Sequence, residues 1–167
     1  MNVTGRSLTD RMKGAAMLDV ATYEDVEADE TATGQAAVVV AMAAVASAIG
    51  AIGTGTAGVL GALLSYFFGW LLWSGVTYLI GDKLLDGTAT WGELLRTLGF
   101  ALSPGILLVF GFIPFIGWLI GIIVGFWILV AGVIAIRQAL DFSTGKAVAT
   151  AFLGWLTVAI LSVVFRL

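Results

Sequence analysis

The feature that most constrains this chain is a run of 40 residues, from Thr97 to Ile136, that contains no charged side chain. As one unbroken helix it would be about 60 Å long, which is about twice the hydrocarbon core of a bilayer. The run must therefore fold back on itself. The sequence GFIPFIG at 111–117 supplies the break, because Pro114 cannot donate a backbone hydrogen bond and disfavours helix at Ile113. We predict a tight hairpin at this point.

The rest of the chain has the same apolar character. Of its 167 residues, 60% are hydrophobic and only 11% are charged, whereas a soluble domain carries about a quarter charged residues. We predict an all-α polytopic membrane protein, with a segment at 1–34 followed by a five-helix transmembrane domain at 35–167. The predicted spans are 35–52, 58–81, 97–113, 115–136 and 147–166.

The basic residues support five crossings and give them an orientation. With five spans, one side of the membrane holds seven lysines and arginines and the other side holds only Arg166. The positive-inside rule then places the amino terminus in the cytoplasm and the carboxyl terminus outside. The seven cytoplasmic residues are Arg6, Arg11, Lys13, Lys83, Arg96, Arg137 and Lys146.

Two segments on the predicted cytoplasmic side are organised. Ser7 and Asp10 have the spacing of a capping box, which predicts a short amphipathic helix over 8–18 at the membrane surface. Thr90 and Glu93 form a second box at the start of the third span. The acidic run YEDVEADE at 23–30 is interpreted as solvated surface rather than a calcium loop, because Glu30 stands where the loop glycine is required. A contact with a cytoplasmic protein stays open for this run.

Small residues recur at helical spacing in two spans. A face of this kind lets another helix approach closely. We interpret these residues as a helix-packing interface, within the bundle or between protomers, rather than as a ligand groove. They are Gly117, Gly121, Gly125 and Gly132 in the fourth span, and Ala37, Ala41, Ala44 and Ala48 in the first. The repeated F-x-G-W-L, which begins at 67, 115 and 152, is interpreted as a shared packing unit.

An aromatic stripe runs along the second span, where Tyr66, Trp70, Trp73 and Thr77 share one helix face. Such a stripe can hold a quinone, a carotenoid or a sterol-like ligand, although aromatic stripes more often only pack. In the third span, Pro104 predicts a structural kink, since it interrupts the helix bonding.

The composition argues against several classes of chemistry. The chain has no histidine and no cysteine, and no acid or base lies in the middle of a span, so we predict no catalytic residue, no metal site and no cofactor. A sequence pI of about 4.7 argues against a nucleic-acid face.

Three stretches resemble bacterial members of the Yip-domain family of integral membrane proteins. They are TWGELLRTLGFALSPG at 90–105, the IPFIG break, and WILVAGVIAIRQALDFSTGKAVATAFLGWL at 127–156. The resemblance spans most of 14–165 and implies five helices with a cytoplasmic amino terminus, in a bacterial inner membrane. Eukaryotic members of the family are implicated in vesicle traffic through small GTPases. Their Asp-Leu-Tyr-Gly-Pro motif is absent here, so no functional residue is transferred.

These observations favour a non-enzymatic membrane scaffold or accessory subunit that binds itself or another integral membrane protein within the lipid bilayer. The alternative is a small transporter or channel for an uncharged or apolar substrate. It predicts a continuous polar or ligand-filled cavity near Tyr66, Ser74, Thr77 and Ser103. An intramembrane enzyme is the least favoured class.

Overall fold

The protein is described by a computed structural model over residues 6–165, without the side chains of 158, 159 and 161–165. Over these residues the all-α prediction is confirmed, since every regular element is helical. The α-helices are α1 (Leu8–Ala16), α2 (Val20–Ala28), α3 (Ala32–Gly50), α4 (Gly55–Leu84), α5 (Trp91–Ala101), α6 (Ile116–Ala139) and α7 (Thr144–Phe165). Two 3-10 segments, Ile52–Thr54 and Ser103–Phe112, complete the order.

Three elements in the described part of the chain are long and apolar enough to cross a membrane. They are α3, α6, and α4 with the short 3-10 turn that precedes it. The bent pair of α5 and Ser103–Phe112 makes a fourth if it counts as one span. Helix α7 occupies the predicted fifth segment, where a crossing stays a prediction. Arg166 and the end of that predicted span lie outside the described residues.

The predicted third span is not a single α-helix. Helix α5 ends at Ala101, and the chain bends by 42° before it continues as a 3-10 helix from Ser103 to Phe112. Pro104 stands at the first turn of this 3-10 helix, where its missing N–H costs least, and the amide of Gly105 bonds the carbonyl of Leu102 at 2.8 Å. The proline thus marks a change of helix type together with a bend.

The chain reverses direction at Pro114, where the sequence predicts a hairpin. Phe115 adopts a positive φ of 62°, and α6 begins at the next residue. The 3-10 segment and α6 then pack against each other. A Cβ atom on Gly117 would overlap the backbone of Gly111, so this close approach requires glycine.

The first two helices form a hairpin that packs onto the bundle. Ser7 caps α1 by accepting a hydrogen bond from the amide of Asp10 at 3.1 Å, and the predicted helix ends at Ala16 rather than at residue 18. The buried hydroxyl of Tyr23 in α2 donates to the carbonyl of Ala15 at 3.1 Å. This N-terminal hairpin, α1 and α2, contacts α5 and α6.

One face of helix α3 is buried in the bundle. It packs against α4, α5 and the 3-10 segment, and its Ala36, Val39, Val40 and Ala43 are completely buried. A Cβ atom on Gly99 of α5 would come within 2.8 Å of the Ala36 Cβ. Small side chains on both helices therefore allow α3 and α5 to approach closely.

Candidate functional site

A groove lies between α4 and α6. The two helices are in contact where the indole of Trp73 fills the space beside Gly132. The contact requires glycine, since a Cβ atom at this position would overlap the ring. Along both helices from this contact toward the Pro114 hairpin, a cavity of about 630 Å³ separates them. Its lining, which we call the α4–α6 groove, comprises Ser65, Tyr66, Gly69, Trp70 and Trp73 of α4, Gly125, Phe126, Ile128 and Leu129 of α6, Trp155 of α7, and Leu102 at the bend.

Three of the four predicted stripe residues line this groove: Tyr66, Trp70 and Trp73. Trp70 is held in place, since its buried Nε1 donates a hydrogen bond to the carbonyl of Leu95 at 2.9 Å. The fourth residue, Thr77, is completely buried and does not line the groove. The aromatic stripe therefore forms a wall whose middle residue is fixed to α5.

The four glycines of α6 have two different environments. Gly117 and Gly132 are filled from within the chain, by the backbone of Gly111 and the ring of Trp73. Gly121 and Gly125 have open space where a Cβ atom would stand. Gly125 lines the groove, and Gly69 on the opposite wall also has open space beside it. The predicted glycine face and the predicted aromatic stripe thus meet in one groove.

The predicted alanine interface on α3 is divided between the core and the surface. Ala44 and Ala48 are buried, Ala37 is half-buried and Ala41 is exposed. Much of the small-residue surface of α3 is therefore already used inside the bundle. Of the predicted interface, Ala41 on α3 remains exposed, and Gly121 and Gly125 on α6 remain open.

Polar atoms without partners lie at the inner end of the groove. The Nε1 of Trp73, the Oγ of Ser74 and the Oγ1 of Thr77 are buried and make no hydrogen bond within the described part of the chain. Trp73 and Thr77 both face Gly154 of α7, since a Cβ atom there would stand 3.5 Å from the indole nitrogen and 3.3 Å from the hydroxyl oxygen. This face of α4 therefore keeps unused hydrogen-bonding capacity beside the apolar groove.

A scan against protein-family models matches the Yip1 domain over residues 19–166, which is most of the chain. The chain belongs to the Yip1 family. Searches of curated proteins and of solved structures gave no match. Its apolar helices agree with this assignment, and the chain is an integral membrane protein.

The three F-x-G-W-L copies of this Yip1-domain protein do not share one environment, so the prediction of a common packing unit is wrong. In the first copy, Trp70 is buried and its ring meets Phe67 edge to face at 5.9 Å. In the second copy, Phe115 and Trp118 are 92% and 74% exposed beside the hairpin. In the third, Trp155 lines the groove. The same pentapeptide packs differently because each helix presents it to a different neighbour.

The sequence did not lead us to predict two buried arginines, Arg11 in the N-terminal segment and Arg96 in the Yip1 domain. Arg11 of α1 is 1% exposed and donates hydrogen bonds to Asp25 and Asp29. Arg96 of α5 is 6% exposed and donates to the carbonyls of Val26 and Glu27 at the end of α2. The sequence contained one signal for the Arg11 contacts. Asp25 and Asp29 are four residues apart, so on a helix their carboxylates share one face.

The acidic run is therefore partly structural. Within residues 6–165, no three acidic side chains come together in a way that could hold a metal ion. Burial, with Glu93, Asp141 and Glu24 nearby, raises the pKa of Glu27 to about 7, although Arg96 opposes this shift. Glu24 and Glu30 remain exposed on the surface of this run.

Proposed function

We propose that this Yip1-family protein is a non-enzymatic membrane scaffold or accessory subunit, and that its α4–α6 groove receives a transmembrane helix of a second copy or of another membrane protein. The observation that carries the proposal is the open space beside Gly69 and Gly125 on opposite walls of the groove. Helices in lipid associate through close van der Waals contact, which requires small residues at the point of approach.

The chemistry of the lining supports an apolar partner. Leu129 and Phe126 at the edge of the groove are 37% and 69% exposed, and Trp155 is 55% exposed, so a docked helix would cover large side chains as well as glycine. The absence of histidine and cysteine from the chain supports a role without catalysis. We also propose the exposed acids Glu24 and Glu30 as a secondary contact for a cytoplasmic protein.

The test is association of the purified protein, measured by crosslinking in bilayers and by size in mild detergent. We expect Gly125→Leu to reduce association at least tenfold, because it adds a side chain inside the groove where a partner helix would lie. Gly121 lies one turn away on the same face of α6, which a partner helix in the groove would also cover, so we expect the same of Gly121→Leu. Apart from the nearby backbone of α6 itself, no described atom lies within 4 Å of a Cβ atom added at either position, so we expect both variants to fold. Gly61→Leu is the matched control. Gly61, which is on α4, also has open space where a Cβ atom would stand, but it does not line the groove.

Two results would contradict this proposal. Unchanged association of both α6 variants would remove the α6 glycine face as the interface. An equal loss in Gly61→Leu would mean that any added leucine on a lipid-facing helix disturbs assembly.

The proposal includes five crossings in a bacterial inner membrane, with a cytoplasmic amino terminus. The basic residues support it, because seven of eight fall on one side. Labelling of single cysteines introduced at Lys83 and Arg166 with a membrane-impermeant reagent tests it in cells. We expect reaction at position 166 from outside and at position 83 only after the membrane is opened; reaction of both from the same side would contradict five crossings.

Transport of an uncharged or apolar molecule is the second candidate. The groove volume of about 630 Å³ lies within the range of ligand pockets, about 300–1,000 Å³, and unpartnered Trp73 Nε1 lies near its inner end. Of the four residues expected along a polar path, only Tyr66 lines the groove, while Ser103 bonds the carbonyl of Phe100. This favours binding over conduction. Extraction and mass spectrometry of lipophilic molecules from purified protein test it, and a Trp73→Phe variant should retain less of a bound molecule.

A further inference from the structure

A second cavity, of about 660 Å³, lies in the N-terminal hairpin, and most of the residues that line it are charged or polar. Its lining combines two cations with two carboxylates: Arg6, Lys13, Asp10 and Asp19. Arg6 donates through Nη1 to the hydroxyl of Thr22 at 2.6 Å and lies 3.4 Å from a carboxylate oxygen of Asp19. We call this cavity the hairpin crevice. Formal charges of both signs therefore line one small volume.

The crevice lies beside a membrane-spanning helix. The indole Nε1 of Trp127 in α6 donates a hydrogen bond to the carbonyl of Ala16, the last residue of α1, at 2.7 Å. Trp127 stands ten residues before Arg137, the basic residue in the last turn of α6, so it is about 15 Å from that end along the helix axis. The closed end of the hairpin therefore reaches alongside the apolar part of α6.

The end of the hairpin has the character of a membrane-contacting segment. Met17 and Val20, in and next to the turn between α1 and α2, are 69% and 38% exposed. Met17 also lines the crevice. Met17 therefore places an apolar side chain next to the charged groups of the crevice. This arrangement matches an amphipathic lipid, in which a polar headgroup is joined to an apolar chain.

Charged side chains beside a membrane-spanning helix require polar partners. Ionised groups that face acyl chains cost a few kcal/mol each, and structures avoid this by drawing water or headgroups inward. Arg6 and Lys13 offer donors for a phosphate, while Asp10 and Asp19 offer acceptors for an ammonium group. A purely anionic headgroup would meet the two carboxylates and be repelled.

We propose that the hairpin crevice binds the headgroup of an aminophospholipid such as phosphatidylethanolamine. Arg6 and Lys13 hold the phosphate, Asp10 and Asp19 accept hydrogen bonds from the primary ammonium, and Met17 contacts the start of an acyl chain. A choline headgroup carries the same charges but has no N–H donor, so it fits the carboxylates poorly.

The experiment measures lipid binding to the full-length protein in detergent, by native mass spectrometry and by melting temperature, with phosphatidylethanolamine, phosphatidylcholine and phosphatidylglycerol of matched chains. A ligand that binds the folded state raises the melting temperature by mass action. We expect phosphatidylethanolamine to bind about tenfold more tightly than either other lipid, which is the effect of one good charge-assisted hydrogen bond.

Variants assign the effect to the crevice. Lys13→Met and Asp10→Asn should each weaken binding of phosphatidylethanolamine about tenfold, since each removes one charged partner. Lys83→Met is the matched control, because Lys83 is an exposed lysine outside the crevice, paired with Asp82. It should leave the lipid preference unchanged.

Soluble glycerophosphoethanolamine separates a headgroup site from a site for any free phosphate. The proposal expects it to compete with the lipid, whereas inorganic phosphate at the same concentration should not. Equal binding of the three lipids, competition by inorganic phosphate alone, or an equal loss in the Lys83 control would each overturn the proposal. Because the α6 glycine variants do not alter the crevice, failure here leaves the groove proposal intact.

Discussion

The hydrogen bonds of Arg11 connect three helices, and their removal gives the sharpest test of how the N-terminal hairpin is held. The guanidinium donates from Nε to Asp25 at 2.9 Å and from Nη2 to Asp29 at 2.7 Å, both on or just after α2. It also donates from Nη1 to Gln35 of α3 at 3.0 Å. Its side chain is 2% exposed. Arg11→Met keeps an apolar stem of similar length and removes all three hydrogen bonds.

The expected loss can be worked from these contacts. Two hydrogen bonds to carboxylates contribute about 1.5–3 kcal/mol each, which sets a range of about 3–6 kcal/mol. The carboxylates of Asp25 and Asp29 are 32% and 30% exposed, so water replaces part of what each loses. We therefore expect Arg11→Met to lower the free energy of unfolding by about 2–3 kcal/mol.

The assay is the thermal melting of purified protein in one detergent, with limited proteolysis of the hairpin as a second readout. For a chain of this size, a loss of about 2–3 kcal/mol corresponds to a melting temperature lower by about 4–12 °C. Arg137→Met is the matched control, since Arg137 is exposed in the last turn of α6. Its melting temperature should change by less than about 2 °C.

One result would refute this reasoning. If Arg11→Met and Arg137→Met melt together and are cleaved at the same rate, the buried guanidinium contributes no net stability, because its desolvation cancels its hydrogen bonds. The hairpin would then be held by apolar contacts and by other hydrogen bonds, such as those that Arg96 and Trp127 donate to its backbone carbonyls.

Two further predictions concern other parts of the bundle. Burial raises the pKa of Glu27 to about 7, so its protonated form favours the folded state. The stabilisation from this one group is fully present below about pH 4.5 and is lost as the pH rises through about 7. Melting temperatures at pH 5 and pH 8 test this prediction. The wild type and a Glu30→Gln control should show the pH dependence, and Glu27→Gln should show a smaller one. An equal dependence in all three proteins would contradict the prediction. Gly132→Leu forces a side chain into the ring of Trp73 and should cost about 1–3 kcal/mol, whereas Gly121→Leu should melt like the wild type under conditions that separate protomers.

Much of the local structure can be predicted from the sequence. Thr90 and Glu93 form the predicted capping box at the start of α5, where each side chain bonds the backbone of the other. The reversal at Pro114 follows from the length of an uncharged run that no single span can contain. Both features depend on short-range hydrogen bonding and on transfer of side chains into lipid, which neighbouring residues alone decide.

The candidate sites required the tertiary structure. No spacing along the chain distinguishes Gly121 and Gly125, which are open, from Gly117 and Gly132, which are filled by other segments. The difference depends on which helix lies opposite each glycine and on where α4 and α6 separate. Sequence alone thus determined that the chain folds as apolar helices in a membrane. Only tertiary structure decided which small residues, aromatic rings and charges meet, because helix rotation and crossing depend on the packing of all segments together.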